Sequence, residues 1–577
     1  MSKCGKEIMD VKFKTVREAV CAHTGMTVEE LLNDTKEYHI NGVEQAAHAL
    51  LKAAPKRTPI YIFGDYDVDG ISASSILALA LKEIGAHVFV RLPRRFSEGY
   101  GIQKKVVDIF KPNSILITVD NGIKAFEAFA AAKEKDIYTI LTDHHLPDTD
   151  KNGNPVWPDA DIVIDPNAVP GSADFNGYCG AGIAYKIAVE ILGKDHKLVP
   201  KLKSLAAIAT IADSVPLVYE NRRIVKEGLK TLLTEGGTTA GLRSLLQHFD
   251  CQDYIDEVII GYKIAPAINA PARLFDAGAM ASFKLLTFDG DKHEAFDLAS
   301  RQKSYNSARK SATDEWTPKI VSNVEKNGLE NDAPIIVYEP DIPEGIVGIV
   351  VGRLAERYQC PCILFAKTEK EGIIKGSGRS FGNVNLKDML DHVNSLLLSY
   401  GGHAAAAGVS IEEKNLDSIR KLLKEYFQAL PEEIKNPPVD DTCDLSVKPD
   451  DMGQVFEEIL SFAPYGEGNP ALRLNMEGLR LEPVGNSCYR QIGEAGVRLY
   501  LPNQAEAVSF ALYNEYVDAG FPTYVDLTGT FSINYFNGVK KHQIIFDSVR
   551  EHNETRKKTL MEQKLSERAS SRYGKNP

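Results

Sequence analysis

The stretch GDYDVDG, residues 64–70, decides how the rest of the sequence is interpreted. Its three aspartates, Asp65, Asp67 and Asp69, fall at alternate positions directly after the apolar run PIYIF at 59–63. Carboxylates about 4 Å apart in poor solvent repel each other by several kcal/mol. Protonation or a divalent cation relieves that repulsion. The stretch is therefore a candidate metal site at the end of a buried strand.

Residues 57–165 alternate between strand-like and helix-like patterns. The predicted strands are the apolar runs at 59–63, 87–92, 114–119, 137–141 and 161–165. Helix-like stretches at 71–85 and 124–136 lie between them. This alternation predicts βαβ units and a parallel sheet. Right-handed crossovers then place the carboxyl ends of all strands on one edge.

The pattern changes after residue 290. Residues 291–330 are charged and helix-prone, which predicts a helical connector, although a helix packed on the first domain fits the pattern equally well. Pro318 should either kink this helix or start a second one. A second α/β pattern follows, with predicted strands at 333–340, 360–367 and 372–378 and a helix at 345–358. Residues 470–550 show short strands and turns, which predicts a small all-β domain.

We predict an α/β fold in which a parallel-sheet domain and a smaller α/β domain are joined by a helical connector and followed by an OB-fold-like β-barrel. The predicted boundaries are 1–50 for an N-terminal segment, 51–290 for the first domain, 291–330 for the connector, 331–435 for the second domain, 445–550 for the β domain and 551–577 for a flexible charged tail. The Pro-rich stretch 431–441 is the predicted linker before the β domain.

Composition and charge narrow the class of protein. The chain of 577 residues is 44% hydrophobic and carries a net charge of −12. That charge argues weakly against a protein coated in nucleic acid, but it does not exclude a local basic groove. No apolar run approaches the ~18–20 residues that span a bilayer, and the first residues lack a signal-peptide pattern. We expect a cytoplasmic protein with reduced thiols, in which Cys360 and Cys362 are no zinc site.

Aspartates and histidines recur where other predicted strands end. Asp120 follows the third strand, and Asp143, His144 and His145 follow the fourth, while Asp213 ends an apolar helix-like run. Open α/β sheets bind their ligands at this edge. Carboxylate and imidazole ligands without cysteine favour Mn²⁺ or Mg²⁺ over structural zinc. Two such ions ~3.5–4 Å apart clamp a phosphoryl group, so phosphoester hydrolysis is the predicted chemistry.

Several motifs together resemble a known family. They are GDYDVDG (64–70), VDNG (119–122), DHH (143–145), ADSVPL (212–217) and GGHAAAAG (401–408). In this order they resemble the DHH phosphoesterase superfamily, and their spacing is similar to that of RecJ-type single-stranded-DNA-specific exonucleases. RLPRRFSEGYG (91–101), GSGRS (376–380) and the C-terminal β domain strengthen the narrower resemblance, which covers roughly residues 55–550.

The resemblance implies a set of metal ligands and a second domain of the DHHA1 type. The implied ligands of two Mn²⁺ or Mg²⁺ ions are Asp65, Asp67, Asp69, Asp120, His144 and Asp213. Asp120 is the implied bridging ligand, and Asp65 either ligates or orients a neighbour. His145 is implied to contact the scissile phosphate, and the alternative is a turn residue bonded to backbone.

A second group of residues is implied to hold the phosphate. His403 and Arg379 are the implied catalytic contacts, and the implied substrate-binding residues are Ser377, Ser380, Asn269, Arg273, Gly401 and Gly402. The glycines and alanines around His403 are not typical of an ordinary strand, because glycine permits positive φ and close backbone approach. A tightly packed turn before a core strand is the alternative. GSGRS is not a Walker A loop, so an NTP-driven motor is not expected.

The resemblance implies a metal-dependent 5′→3′ exonuclease of single-stranded DNA that acts in DNA repair and recombination. A narrow cleft between the domains would exclude a duplex. The β domain would add stacking aromatics and cations, for which the run YFNGVKKH at 535–542 is a candidate, although a solvated hairpin tip is the alternative. Single-strand-binding protein or a helicase are candidate partners, and no membrane is expected.

The sequence departs from the family at two places. The family loop G-P-R-x-N-A-x-G-R is APAINAPAR at 265–273, so that Ala267 replaces an arginine. Ile342-Pro343-Glu344 stands where the family tends to carry a Trp-His pair. Both departures concern possible contacts with the substrate, so they put the choice of substrate in question. Two other functions therefore stay open. One is a DHH hydrolase of short oligonucleotides or cyclic dinucleotides, and the other is a non-catalytic scaffold, although scaffolds lose acids that this chain keeps.

Overall fold

Three β-sheets and the helices around them make up the protein. The computed structural model describes residues 10–168, 171–437, 441–536 and 538–552. Most of the predicted C-terminal tail and the first nine residues of the predicted N-terminal segment lie outside these ranges. In the described part, no helix is long and apolar enough to cross a membrane.

The first sheet has five parallel strands in the order β2-β1-β3-β4-β7. The strands are β1 (Pro59–Phe63), β2 (His87–Arg91), β3 (Ile115–Thr118), β4 (Tyr138–Thr142) and β7 (Ile162–Ile164), and a separate ribbon pairs β5 (Asp148–Thr149) with β6 (Pro155–Val156). Four of the five parallel strands fall within the apolar runs named above, and β4 extends one residue beyond its run, to Thr142. The predicted parallel sheet is therefore confirmed.

Thirteen helices precede or surround this sheet within the described residues. They are α1 (Val16–Thr24), α2 (Val28–Asn33), α3 (Val43–Ala53), α4 (Val68–Glu83), α5 (Lys104–Val107), α6 (Phe126–Glu134), α7 (Gly180–Leu192), α8 (Val199–Ala212), α9 (Tyr219–Leu232), α10 (Ala240–His248), α11 (Glu257–Ile259), α12 (Ala265–Leu274) and α13 (Ala279–Thr287), with a π-helical turn at Ile260–Ile264. Helix α4 is buried along most of its length. Its small and apolar residues let α7, α8 and α13 pack around it, so the GDYDVDG end of the helix has a fixed position.

The connector is a single helix, α14 (Lys292–Lys326). Pro318 lies inside it, so the alternative of a second helix starting there is wrong. Near its start, Gln302 Nε2 donates to the carbonyl of Ala267 in α12 at 2.8 Å. Near its end, Ile320 and Val324 are buried in the core of the second domain. The helix therefore both packs on the first domain and connects it to the second.

The second sheet is mixed, in the order β11-β12-β10-β9-β8. Its strands are β8 (Ile335–Tyr338), β9 (Cys362–Lys367), β10 (Ile373–Arg379), β11 (Leu397–Gly402) and β12 (Ala406–Glu412), and its helices are α15 (Glu344–Tyr358), α16 (Leu386–His392), α17 (Leu416–Ala429) and α18 (Glu432–Lys435). The last helix lies inside the predicted linker at 431–441.

GGHAAAAG forms the hairpin between β11 and β12. Gly401 pairs with Gly408 and Gly402 with Ala407, while the amide of His403 donates to the carbonyl of Ala406 at 2.8 Å. Only Gly402 of the two leading glycines has a positive φ, 145°. The stretch is therefore not one ordinary strand, as expected, although both of its ends are strand residues, and the tight turn before β12 also agrees with the alternative.

The third sheet has seven strands in the order β13-β14-β18-β19-β17-β16-β15. They are β13 (Leu445–Val447), β14 (Arg473–Arg480), β15 (Tyr489–Ile492), β16 (Gly496–Tyr500), β17 (Glu506–Ser509), β18 (Tyr524–Phe536) and β19 (Val539–Glu551), with helices α19 (Met452–Ser461) and α20 (Tyr513–Asp518). The region is thus not purely β, since two helices cover its sheet and contribute Phe456 and Tyr516 to its core.

The hairpin tip between β18 and β19 contacts the first domain. Lys540 Nζ lies 4.3 Å from the ring centre of Tyr254, and the Tyr535 ring lies 5.2 Å from the same ring. This cluster had been a candidate for nucleic-acid binding. The structure instead places Tyr535 and Lys540 in a contact between domains; the Phe536 side chain and Asn537 lie outside the described residues.

Arg222 of α9 joins three parts of the chain. Its buried guanidinium donates to the carbonyl of Leu31 at 3.1 Å, in α2, and to those of Phe462 at 2.8 Å and Pro464 at 3.0 Å, after α19. Helices α1 and α2 also bury apolar residues in the core of the third sheet. The N-terminal segment is therefore packed between the first domain and the third sheet.

We expect Arg222→Ala to lower the free energy of unfolding by at least about 3 kcal/mol, because several buried carbonyls lose their donor and each unsatisfied acceptor costs about 1–3 kcal/mol. Urea denaturation followed by circular dichroism measures the change. The exposed Arg301 provides the control, and Arg301→Ala should stay within about 0.5 kcal/mol of the wild type. Equal stability of the two variants would contradict the assigned contact.

Candidate metal centre

The acids of separate motifs meet at the carboxyl edge of the first sheet. Three overlapping groups of side chains each have their ligand atoms within 4.8 Å of one another. The groups are Asp65, Asp67 and Asp120; Asp69, His144 and Asp213; and Asp120, His144 and His145. The structure thus brings together all six residues that the sequence analysis named as metal ligands. Their role as ligands remains a prediction.

His144 lies at the centre of this arrangement. Its Nε2 atom is 3.1 Å from Asp120 Oδ1 and 3.7 Å from both Asp69 Oδ2 and Asp213 Oδ2. A nitrogen surrounded by three carboxylates at these distances marks a place where a cation is favourable. Burial lowers the pKa of His144, which favours the neutral imidazole that coordinates metals.

Asp69 is held by the first turn of α7. The amides of Gly180 and Ala181 donate to its two carboxylate oxygens at 2.6 and 2.8 Å. These amides have no partner within the helix, and the positive end of the helix dipole favours a negative charge there. A Cβ atom on Gly180 would lie 2.5 Å from Cβ of Asp120. Glycine at this position therefore lets the helix end approach the acids.

Asp120 sits on a turn of unusual backbone conformation. Its φ is 59°, a region that few residues other than glycine adopt. The next residue, Asn121, is fully buried and donates from Nδ2 to the carbonyls of Val119 at 2.8 Å and Phe63 at 3.2 Å. Asn121 thereby joins the ends of β1 and β3. This contact fixes Asp120 beside the acids that follow β1.

Charge crowding dominates the electrostatics of the centre. Burial, and then the charges of neighbouring aspartates, raise the pKa values of Asp65, Asp67 and Asp120, and they raise that of Asp213 to about 9. Among the described residues, the buried Oδ1 atom of Asp65 has no hydrogen-bond partner. The ligand set therefore consists of carboxylate oxygens and an imidazole, with no cysteine among the described groups. Such a set fits Mn²⁺ or Mg²⁺.

Asp143 and Tyr100 orient His145. Asp143 Oδ1 lies 2.7 Å from His145 Nδ1, and its Oδ2 accepts from the amide of Ile123 at 3.0 Å. Tyr100 Oη lies 3.2 Å from His145 Nδ1 and donates to the carbonyl of Asp120. Burial opposes protonation of His145, but the hydrogen bond and charge of Asp143 outweigh it and raise the pKa to about 9.

These contacts correct one interpretation from the sequence and add two residues to the site. The His145 ring bonds side chains and not backbone, so its interpretation as an ordinary turn residue is wrong. The roles of Asp143 and Tyr100 were missed. Both residues lie inside motifs that the sequence analysis quoted, and an acid directly before a histidine pair was the available signal for Asp143.

Arginines gather where α12 meets the second domain. Burial, and then the charges of Arg95, Arg309 and Arg379, lower the pKa of Arg273 to about 9. The Arg95 guanidinium also lies 4.6 Å from the ring centre of Tyr66, within GDYDVDG. Throughout the described ranges, none of these four arginines has a carboxylate within ion-pair distance. We call this group, defined by Arg95, Arg273, Arg309 and Arg379, the arginine pocket.

Other residues named from the resemblance have varied positions. Arg379 donates to Ser377 Oγ at 3.1 Å, which places both in the arginine pocket. Ser380 Oγ donates to the carbonyl of Val384, so its hydroxyl is used within the second domain.

Two more of these residues lie in different settings. Asn269 is half-buried on α12, one turn before Arg273. His403 is exposed at the hairpin tip. Partial desolvation, and then the positive charges of His145 and Lys124, lower the pKa of His403, so its ring lies within range of charged groups of the first domain.

Known protein families match the regions of the chain that form the three sheets. The DHH family N-terminal domain matches residues 59–210, the DHHA1 domain 331–429 and the RecJ OB domain 443–548. The fold and the site thus define a DHH-type hydrolase with a DHHA1 domain. The single-stranded-DNA-specific exonuclease RecJ of Haemophilus influenzae is 31% identical over 426 residues, covering 69% of this chain and 71% of that protein. The chain belongs to the RecJ family of single-stranded-DNA-specific exonucleases.

Further relatives agree with this assignment. The RecJ exonuclease of Bacillus subtilis is 32% identical over 520 residues, covering 88% of this chain, and the chain spans 63% of that relative's length. A crystal structure of RecJ from Thermus thermophilus in complex with Mn²⁺ matches with a TM-score of 0.74 at 27% identity, over 93% of this chain and 76% of that one. A further crystal structure of that protein contains Mg²⁺.

Asp120→Asn tests the charge crowding. Without metal, the variant should be more stable than the wild type by about 1–2 kcal/mol, because one buried charge is removed and each pKa unit corresponds to ~1.4 kcal/mol. Added Mn²⁺ should stabilise the wild type and not the variant. Urea denaturation in EDTA and in Mn²⁺ measures both effects. Asp195→Asn, at an exposed position, is the control, and a variant that Mn²⁺ stabilises as strongly as the wild type would refute the assignment.

Gly180→Ala tests the approach of α7. The added Cβ should displace Asp120 and weaken Mn²⁺ binding by about 10–100-fold, the range typical of residues that orient metal ligands. Gly182→Ala is a matched control two residues along the same helix, where a Cβ would meet nothing closer than 3.4 Å. Isothermal titration with Mn²⁺ compares the two, and equal affinities would show that the contact does not matter.

Proposed function

We propose that this protein hydrolyses the phosphodiester bonds of single-stranded DNA from the 5′ end and that it requires divalent cations. The observation that carries this proposal is the juxtaposition of an acidic metal centre and an arginine pocket at the junction of the first and second domains. Related RecJ proteins are named single-stranded-DNA-specific exonucleases, which supports the choice of substrate.

The metal centre supplies the chemistry. Two divalent ions in such a centre polarise the phosphoryl oxygens and lower the pKa of the attacking water. The residues that would hold them are Asp65, Asp67, Asp69, Asp120, His144 and Asp213. Asp120 and His144 each belong to two of the three groups, and we assign Asp120 as the shared ligand because a carboxylate has two oxygens to offer.

His145 completes the reacting side of the site. Asp143 and Tyr100 both lie at its Nδ1 atom, so Nε2 remains to donate to an oxygen of the scissile phosphate. We assign His403, at the hairpin tip of the second domain, as a second contact to the same phosphate. Both imidazoles act by stabilising the negative charge that develops on the phosphate.

The arginine pocket provides the end specificity. Arg273 and Arg379 would bind the terminal 5′-phosphate, because guanidinium groups are strong phosphate donors and these two have no carboxylate partner among the described residues. Gly345 of α15 packs directly on the backbone of Arg273, where a Cβ would lie 1.8 Å from the Arg273 carbonyl. A strand held by its terminal phosphate would be cut at a set distance from that end, as an exonuclease does.

Two finer features also belong to this proposal. A single-strand-specific nuclease needs its substrate exposed, so a helicase or a single-strand-binding protein is a candidate partner in repair and recombination. We also propose a cytoplasmic location, where cysteines stay reduced. The cysteines at all seven described positions are free thiols.

Strands labelled at either end test the activity. With Mn²⁺ or Mg²⁺, we expect label release first from the 5′ end of single strands and no release from blunt duplex. Asp120→Ala should reduce kcat by at least about a hundredfold, because it removes a shared ligand. Cleavage of dinucleotides alone would instead indicate a hydrolase of short oligonucleotides, and inertness with every metal a scaffold.

Arg379→Met tests the polarity. The variant should raise KM for a 5′-phosphorylated strand by about 10–100-fold, as expected for a lost charged hydrogen bond, and should bring it close to that of a 5′-hydroxyl strand. Arg357→Met, at an exposed position of the same domain, is the matched control. A 5′-phosphate preference that survives in Arg379→Met would contradict the assigned end site.

A further inference from the structure

A single π-helical turn, Ile260–Ile264, exposes an unpartnered aromatic ring. Tyr262 of this turn is 79% exposed. No other aromatic ring or cation lies against it among the residues that the structure describes. The turn directly precedes α12, which carries Arg273 of the arginine pocket. An isolated π turn in a helix is often a functional feature.

A cavity of about 270 Å³ lies beside this tyrosine. Its walls come from the end of α8, the start of α11 and the loop around Tyr465. Hydrogen bonds join these walls, since the amide of Tyr465 donates to Glu257 Oε1 at 3.0 Å and the amide of Leu217 to the carbonyl of Glu467 at 2.7 Å. The cavity is therefore preformed.

The cavity begins next to the metal centre. Ser214, which lines it, directly follows Asp213. One wall of the cavity therefore adjoins the metal centre.

The lining decides which part of a nucleotide fits. Ile211, Val215 and Val258 supply apolar surface, and Glu257 and Glu467 supply carboxyl groups. No lysine or arginine of the described residues lines the cavity. Carboxylates repel a phosphate, whereas an apolar slot with an exposed tyrosine suits the flat face of a base. Stacking of a base on an aromatic ring contributes about 1–3 kcal/mol and tolerates every base.

We propose that this cavity, with Tyr262 as its stacking surface, binds one base of the single strand at a fixed distance from the scissile phosphate. This inference rests on the proposed function. It adds a base-binding site outside the metal centre, the arginine pocket and the third sheet. A base held here retains the strand between successive cleavage events.

A scan of abasic sites tests the proposal. Single-stranded oligonucleotides with a 5′-phosphate carry one abasic site at each of roughly the first eight positions, within the length that such proteins cover. Fluorescence anisotropy in EDTA measures affinity without hydrolysis. For the wild type, we expect one position at which the abasic site lowers affinity about tenfold. Tyr262→Ala should bind the intact strand about tenfold more weakly and show no further loss at that position.

Two variants serve as controls. Tyr262→Phe keeps the ring and should behave as the wild type. Tyr138→Ala removes a tyrosine that is 41% exposed at the start of β4, at the edge of the sheet opposite the metal centre, and should leave the scan unchanged.

Hydrolysis of a 5′-phosphorylated dinucleotide in Mn²⁺ separates the two proposals. A dinucleotide carries the scissile phosphate and the 5′-phosphate, which the metal centre and the arginine pocket would bind without the cavity, so Tyr262→Ala should hydrolyse it at the wild-type rate. The base site would be overturned if Tyr262→Ala lost dinucleotide hydrolysis. It would also be overturned if the wild type showed no position sensitive to an abasic site, or if Tyr262→Ala kept the same loss of affinity at that position. Failure of the wild type to degrade any single strand would overturn the proposed function instead.

Discussion

Repulsion among buried carboxylates is the constraint on which the rest of this structure depends. Asp65, Asp67, Asp69, Asp120 and Asp213 converge from separate elements, and burial makes each charge costly. Hydrogen bonds from the surrounding backbone and side chains hold these acids in position. Helix α7 donates two amides to Asp69, and Asn121 joins the strand ends that carry Asp65, Asp67 and Asp120. Divalent cations complete an arrangement that the polypeptide alone leaves unbalanced.

Positive charge at the junction of the first and second domains balances this negative centre. The arginine pocket and His403 lie on the side of the site from which a phosphate arrives. In the proposed function, a nucleic-acid backbone would be attracted by the arginines on one side and by divalent cations on the other. The overall net charge of −12 is consistent with this division, because the positive charge is local and the acids are internal.

Sequence reasoning found the strands and the metal centre because alternating apolar runs and acids at strand ends are local patterns. It could not find contacts set by tertiary packing. Ala267 appeared to be a lost phosphate contact, yet it is fully buried under Gln302 of the connector, and three other arginines surround Arg273. Tyr535 and Lys540 looked like a DNA-binding cluster, but they contact Tyr254. The partner in each case is far away in the chain, and no local pattern reveals it.

The packing of the N-terminal helices on the third sheet has a consequence for biosynthesis. Arg222 bonds Phe462 across 240 residues, and the segment around Val11 pairs with Cys443. Closing loops of this length is entropically expensive and slow. The emerging polypeptide must expose the apolar side of α1 until translation has delivered more than four hundred further residues. Ribosome-bound intermediates of this protein should therefore depend on chaperones that shield its first helices.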